Sequence, residues 1–331
     1  MPHQDNPESD SEEVPDGHPD HSSDASSDVV ELDNAEFPDY FQERNGRLFH
    51  SHVVSPYPLP VDTAEQDRAN RQHIFFKHLL GANYVGPVQE VLQFTVGEQR
   101  KTLDLATGTG KWVLDMSRDF PHVKFYGLDI VPIATRTPPR NVQFEMHDIG
   151  TALRFKEGTF DFVHGRSISM AVHDYGLLLR EVGRVLRPQG LFLACELAPS
   201  ITCAPGYPGD PALLFPKATT FFQVLNACLE QRGIQSMGPY LLDHIRHARC
   251  FTGIQSRVYH IPVGDWDENL HRQELGREFS EILLAYANAM KETIGPEMNQ
   301  YVDGLFDGLK EEVHNAQGMV LEYYTVFARK I

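Results

Sequence analysis

The sharpest chemical signal in the chain is one glycine turn with three carboxylates at nearby strand ends. Asp104-Leu-Ala-Thr-Gly108-Thr-Gly110-Lys-Trp112 sets an acid at the end of an apolar run and two glycines just before a helical segment. Such glycines let the backbone approach a ligand closely and aim helix N-terminal amides at it. Dinucleotide sites use a similar pair, but the third glycine they need, three residues after Gly110, is Val113 here. Asp104 would also repel a pyrophosphate, whereas it suits the cationic amino group of a methionine moiety. Asp129 follows the next apolar run, where an acid binds both ribose hydroxyls of an adenosine. Asp148 follows the third run, where a carboxylate can accept from an adenine amino group. His164 and Glu196 end the fourth and fifth runs, with His173 near the former. Each is a candidate base for an acceptor that arrives protonated. For His164 the alternative is a packing or cofactor-edge residue that takes no proton. Trp112 reads as core.

Positioning these groups takes strands that alternate with helices. KTLDLA, VKFYGLDI, NVQFEMHDI, FDFVHGRS and LFLACEL read as five strands, and WVLDMSRDF and residues 177–186 as helices between them. That alternation implies a Rossmann-like α/β fold with a mostly parallel sheet covered by helices on both faces. Upstream, Asp62 or Thr63 can cap a helix that ends at Leu80 against Gly81. Downstream, helices are expected near 218–232, 244–248, 274–292 and 298–315, with strands at 256–261 and in the closing LEYYTVFARKI.

The charge is concentrated in one segment. Of the net −17 over 331 residues, residues 1–43 supply 14 acids and no Lys or Arg, leaving 32 acids against 29 bases in the rest. The body therefore lacks the basic excess of a nucleic-acid binder. Residues 1–45 read as a disordered acidic tail, able to serve as a partner-binding arm. Residues 46–100 read as an N-terminal helical cap, and 101–331 as the main domain with an insertion at about 200–315. No apolar run is long enough for a membrane span, so a soluble protein of cytoplasm or nucleus is expected. The four cysteines have no metal-ligand spacing and read as reduced and structural.

DLATGTGKW, YGLDI, HDI, FDFVHGR and LRPQG, in this order, resemble the sequential motifs of class I methyltransferases, in a variant similar to the fungal LaeA-like family. Tyr57-Pro-x-Pro-x-Asp62, Glu65-x-x-Arg68 and His73 add to the likeness upstream. Two positions depart from the pattern: Ala106 stands where the family has the first glycine of its turn, and Gln189 where it has a second glycine after Pro188. The resemblance implies a seven-stranded sheet and S-adenosyl-L-methionine as cofactor, held by Asp104, Ala106, Gly108, Gly110, Asp129, Ile130, Asp148, Ile149 and His164. It implies an acceptor site that includes Tyr57, Arg68, His73, Arg166 and Tyr207, with Tyr240 and the helices after Trp266 as further wall. Arg166 would bind a substrate carboxylate, or brace Asp148 or the tail of the helix that follows. Glu65 and Arg68 would either roof the site or form an exposed helix pair. The function implied is methylation of a small-molecule secondary metabolite. The alternative is a regulatory subunit acting in the nucleus through protein partners, as in the velvet complex. A nicotinamide-dependent oxidoreductase is disfavoured by Val113 and Asp104.

Overall fold

The computed structural model describes residues 30–294 and 299–331; most of the acidic tail lies outside the described residues. Asp33–Ile331 form one unit. It opens with a short hairpin, β1 (Phe41–Arg44) and β2 (Arg47–His50), followed by α1 (Thr63–Leu80) and a single turn, α2 (Val88–Val91). Then come β3 (Lys101–Leu105), α3 (Lys111–Asp119), β4 (Lys124–Asp129), β5 (Val142–Met146), β6 (Phe160–Arg166), α4 (Tyr175–Val185) and β7 (Leu186–Leu197). The remainder is β8 (Thr202–Cys203), α5 (Pro211–Leu214), α6 (Pro216–Gln231), α7 (Leu241–His247), β9 (Phe251–Pro262), α8 (Leu270–Ile294), α9 (Asn299–Asn315) and β10 (Met319–Lys330).

Five strands pair in parallel in the order β5-β4-β3-β6-β7, and β10 closes the sheet antiparallel to β7. Strand β9 pairs antiparallel with β10 on its other side, completing the expected seven, and the two-residue β8 is an addition at β10's end. Alternate residues of β7 divide between two apolar cores: Leu191 and Leu193 face one, Phe192 and Ala194 the other. Both faces are thus covered, as a parallel sheet requires.

Helix α1 begins and ends where the residue types dictate. The Asp62 side chain accepts from Glu65 N, and Gly81 closes the helix in the left-handed region at φ 73°. Arg47 ties the hairpin to that cap, its Nε 2.6 Å from Asp62 Oδ2. Phe75 stacks on Phe279 of α8 (5.1 Å between centroids) and Phe76 on Tyr323 of β10 (4.2 Å), which fixes α1 over the sheet.

Several boundaries differ from the sequence reading. Within the expected tail, a 3-10 turn (Phe37–Tyr40) leads into β1. Phe37 gives it an apolar anchor, packing on Phe41 and under the Arg136 guanidinium. The cap is only partly helical, since β1 and β2 form its front. The insertion is interrupted by β9, twelve residues long where six were expected. Arg187-Pro188-Gln189-Gly190 is a bulge inside β7: four residues lie between Leu186 and Leu191 while one lies between their partners Phe160 and Phe162, and Gln189 takes φ 63°.

Candidate functional site

The carboxyl ends of β3, β4 and β5 converge on a cavity of about 760 Å³. Ala106 and Gly108 form its edge, with φ of 49° and 57°. At Gly108 a Cβ would meet nothing within 4 Å, so the backbone here lies open to the cavity. Asp129 ends β4 and holds that turn: Oδ2 accepts from Gly108 N at 2.7 Å and Oδ1 from Val131 N at 3.2 Å. Burial pushes its carboxyl up to about 6, against the pull of these amides. Asp148 lines the far wall, Oδ1 accepting from Gly150 N at 2.8 Å. Ile130 and Ile149 supply apolar wall between the acids. Segment 55–69 roofs the cavity through Ser55, Tyr57, Pro60, Glu65 and Gln66, and Thr109 Oγ1 donates to Asn70 Oδ1 of α1 at 2.7 Å, linking turn to roof. The described lining contains three carboxylates, Glu65, Asp129 and Asp148, and neither Lys nor Arg.

Three of the expected cofactor residues do not line this cavity. Asp104 is buried with both oxygens engaged: Oδ1 accepts from His164 Nδ1 at 2.7 Å and Oδ2 from Thr107 Oγ1 at 2.7 Å. The parallel register that sets Asp104 beside His164 is the cause. His164 itself is buried, stacks on Trp112 at 3.8 Å, and is held neutral by burial, the Asp104 charge opposing. It positions the sheet end and is not exposed to an acceptor, so the candidate base at this strand end is withdrawn. Gly110 is required by packing. Its φ is 74°, and a Cβ would stand 2.5 Å from the Phe144 ring. Gly110→Ala is expected to cost about 2 kcal/mol in urea unfolding, from left-handed strain and overpacking, with a smaller effect on ligand affinity.

A second cavity, about 790 Å³, lies between α1, α6, α8 and the end of β7. It is walled largely by apolar side chains, among them Leu59, Met170, Phe222, Phe279 and Leu283. Tyr57 and Ser167 line both cavities and mark where they meet. Ser167 is strained at φ 57°, and its Oγ is buried without a partner; such strain gathers at functional sites. Glu196 lies at the end of β7, 1% exposed, where Oε1 accepts from Ile168 N (3.0 Å) and Ser169 N (3.1 Å) and Oε2 from Ser169 Oγ (3.0 Å). Burial pushes its carboxyl up to about 7.

Glu65 and Arg68 are not an exposed pair. They are 5% and 6% exposed, bonded Nε to Oε1 at 2.9 Å, with Glu65 facing the first cavity and Arg68 the second. Arg68 also donates to Gln72 and lies 5.9 Å from the Tyr286 ring. His73 and Arg166 line neither cavity: they find each other, Arg166 Nη2 donating to His73 Nδ1 at 3.0 Å while His73 Nε2 donates to Asp115 at 3.1 Å. Burial lowers His73 to about 4, so the ring is neutral. Tyr207 is 39% exposed and packs on Gly318, because Ala204 N donates to Gly318 O and draws the loop along β10, away from both cavities. Tyr240 is likewise exposed and lines neither.

Residues 97–205 match the family described as a methyltransferase domain. Over 151 residues, 45% of this chain, the sequence is 38% identical to the secondary metabolism regulator laeA of Coprinopsis cinerea, covering 38% of that protein. The likeness over this span is to LaeA-like class I methyltransferases. Methyltransferase pytC of Aspergillus terreus is 26% identical over 88% of both chains. The laeA regulator of Monascus pilosus is 27% identical over 80% of this chain and 70% of its own. A methyltransferase domain of this class implies use of S-adenosyl-L-methionine. Of the residues expected to hold it, Ala106, Gly108, Asp129, Ile130, Asp148 and Ile149 face one cavity. The upstream motif gives Glu65 no cofactor role, and the one mark of Ser167 in the sequence is its place directly after a strand end.

Proposed function

We propose that this LaeA-like protein transfers a methyl group from S-adenosyl-L-methionine to a small-molecule secondary metabolite bound in the second cavity. The observation that carries the reading is the first cavity's charge: Asp129 and Asp148, with Glu65 held by Arg68 behind it and neither Lys nor Arg in the described lining, suit a ligand with a sulfonium and an ammonium and disfavour a pyrophosphate. The residues fit the group chemically. Asp129 offers two buried acceptor oxygens to ribose hydroxyls, Asp148 an acceptor to an adenine amine, and the open backbone at Gly108 allows close approach. Glu65 takes the role first given to Asp104, facing the cationic end. When bound, the cofactor supplies an already activated methyl group on its sulfonium, so the protein's task is mainly alignment and exclusion of water. Tyr57 and Ser167, shared by both cavities, supply the alignment.

The regulatory reading, a subunit acting through protein partners, is favoured by the 38% identity to a regulator. The largely apolar second cavity, adjoining the first at Tyr57 and Ser167, favours the enzyme. Calorimetry with S-adenosylhomocysteine, and NADH as control, tests the cofactor assignment. We expect micromolar binding of the former and none of the latter. Because Asp129 accepts more strongly from ribose hydroxyls when ionised and burial carries its carboxyl to about 6, affinity should be full above that pH and fall below it, by at most about tenfold per unit. Flat affinity from pH 5 to 8 would remove Asp129 from the site.

A further inference from the structure

The second cavity is not charge-neutral by accident of composition. Arg68 is the only Lys or Arg among its described lining residues, and its guanidinium is committed to Glu65, Gln72 and the Tyr286 face. No free cation remains to pair with an anionic guest. The only carboxylate in the described lining is Glu196. An ionised carboxylate offers about four acceptor positions. Three are filled, two on Oε1 and one on Oε2, all by the Ile168–Ser169 segment that directly follows Ser167. One position on Oε2 is left, on a side chain that faces the cavity beside the junction with the cofactor pocket.

We propose that the acceptor is an uncharged, largely apolar molecule carrying a hydroxyl, and that Glu196 takes the proton of that hydroxyl. This rests on the reading of the second cavity as the acceptor site. In the step, the acceptor O–H bond breaks, the proton goes to Glu196 Oε2, and the electron pair stays on the acceptor oxygen; that oxygen would then bond to the methyl carbon as the S–C bond breaks, its pair leaving with the neutral thioether. An ammonium guest is disfavoured because it needs three acceptors, of which Glu196 Oε2 supplies one and the unpartnered Ser167 Oγ a second. An acidic guest meets a carboxylate and no free cation. The groups packed around Glu196 do not compete for the proton. Tyr175 of α4, Cys195 of β7 and Tyr323 of β10 are buried and held neutral, and Arg166 is bonded to His73. Burial already carries the Glu196 carboxyl to about 7, where it can both accept and release a proton near neutrality.

The test uses the full chain saturated with S-adenosylhomocysteine and three probes of one shape: 2-naphthol, 2-naphthoate and 2-naphthylmethylamine. Affinity is measured between about pH 6 and 8, where the naphthol stays protonated. We expect 2-naphthol to gain about tenfold in affinity across that range and to bind at least tenfold tighter than either charged probe at its upper end. Glu196→Gln should flatten the pH dependence. Ser169→Ala, which keeps the carboxylate and removes one donor, should move the midpoint up by about one pH unit. Tighter binding of the naphthoate or the amine overturns the proposal, as does a pH dependence untouched in both variants, which would leave Glu196 as a cap on its turn. If S-adenosylhomocysteine itself fails to bind, the cofactor reading falls and takes this proposal with it; if it binds without the naphthol preference, only this proposal falls.

Discussion

Asp129→Ala is expected to weaken binding of S-adenosylhomocysteine by about a hundredfold or more. Two hydrogen bonds to an ionised acceptor are lost, each worth about 1.5 to 3 kcal/mol when one partner is charged. The same carboxylate also holds Gly108 N and Val131 N, so its removal loosens the glycine turn as well. These two contributions can be separated with a ligand that lacks a ribose hydroxyl. The wild-type protein should discriminate against 2′-deoxy-S-adenosylhomocysteine by about tenfold, and Asp129→Ala should bind both ligands alike. If the variant still discriminates, Asp129 acts through the turn alone and the ribose is read elsewhere. If affinity does not change at all, the cavity under segment 55–69 is not the cofactor site.

Asp129 could be read from the sequence because its role depends on backbone position. A strand end beside a glycine turn puts a carboxylate at the ligand edge whatever surrounds it. Asp104 occupies an equally legible position, yet it is turned onto His164 and Thr107 and lines neither cavity. Strand spacing tells where a side chain stands, while the neighbour it meets is set by the register between β3 and β6. The same limit explains His73 and Arg166, 93 residues apart in the chain and bonded to each other. It also explains Tyr207, whose loop follows β8 onto β10. Helix α1 was legible end to end because Asp62 and Gly81 act locally. Strand β9 was half-legible because Thr252–Val258 is mostly exposed, so no apolar alternation marks it. The two cavities were not legible at all, since one arises where segment 55–69 lies over the glycine turn and the other where α1, α6 and α8 meet at the end of β7.

Glu65→Ala should destabilise the fold by about 3 to 5 kcal/mol, since it leaves the Arg68 guanidinium buried with its charge uncompensated. The direct bonds at 2.9 and 2.7 Å make the pair tight, but tightness is not net stability: both ions were taken out of water to form it. Burial pushes the Glu65 carboxyl up while Arg68 holds it back, which is the mark of a pair whose attraction mainly offsets its own desolvation. A double variant, Glu65→Leu with Arg68→Met, should therefore regain most of what the single variant loses, as measured by urea unfolding with the two single variants completing the cycle. Stability and function then separate. Glu65 faces the cofactor cavity and Arg68 the acceptor cavity, so the apolar double variant should fold yet bind S-adenosylhomocysteine at least tenfold more weakly than the wild-type protein. Retained affinity in a folded double variant would mean that the pair is only a strut between the cavities, and that the cationic end of the cofactor is met by another group.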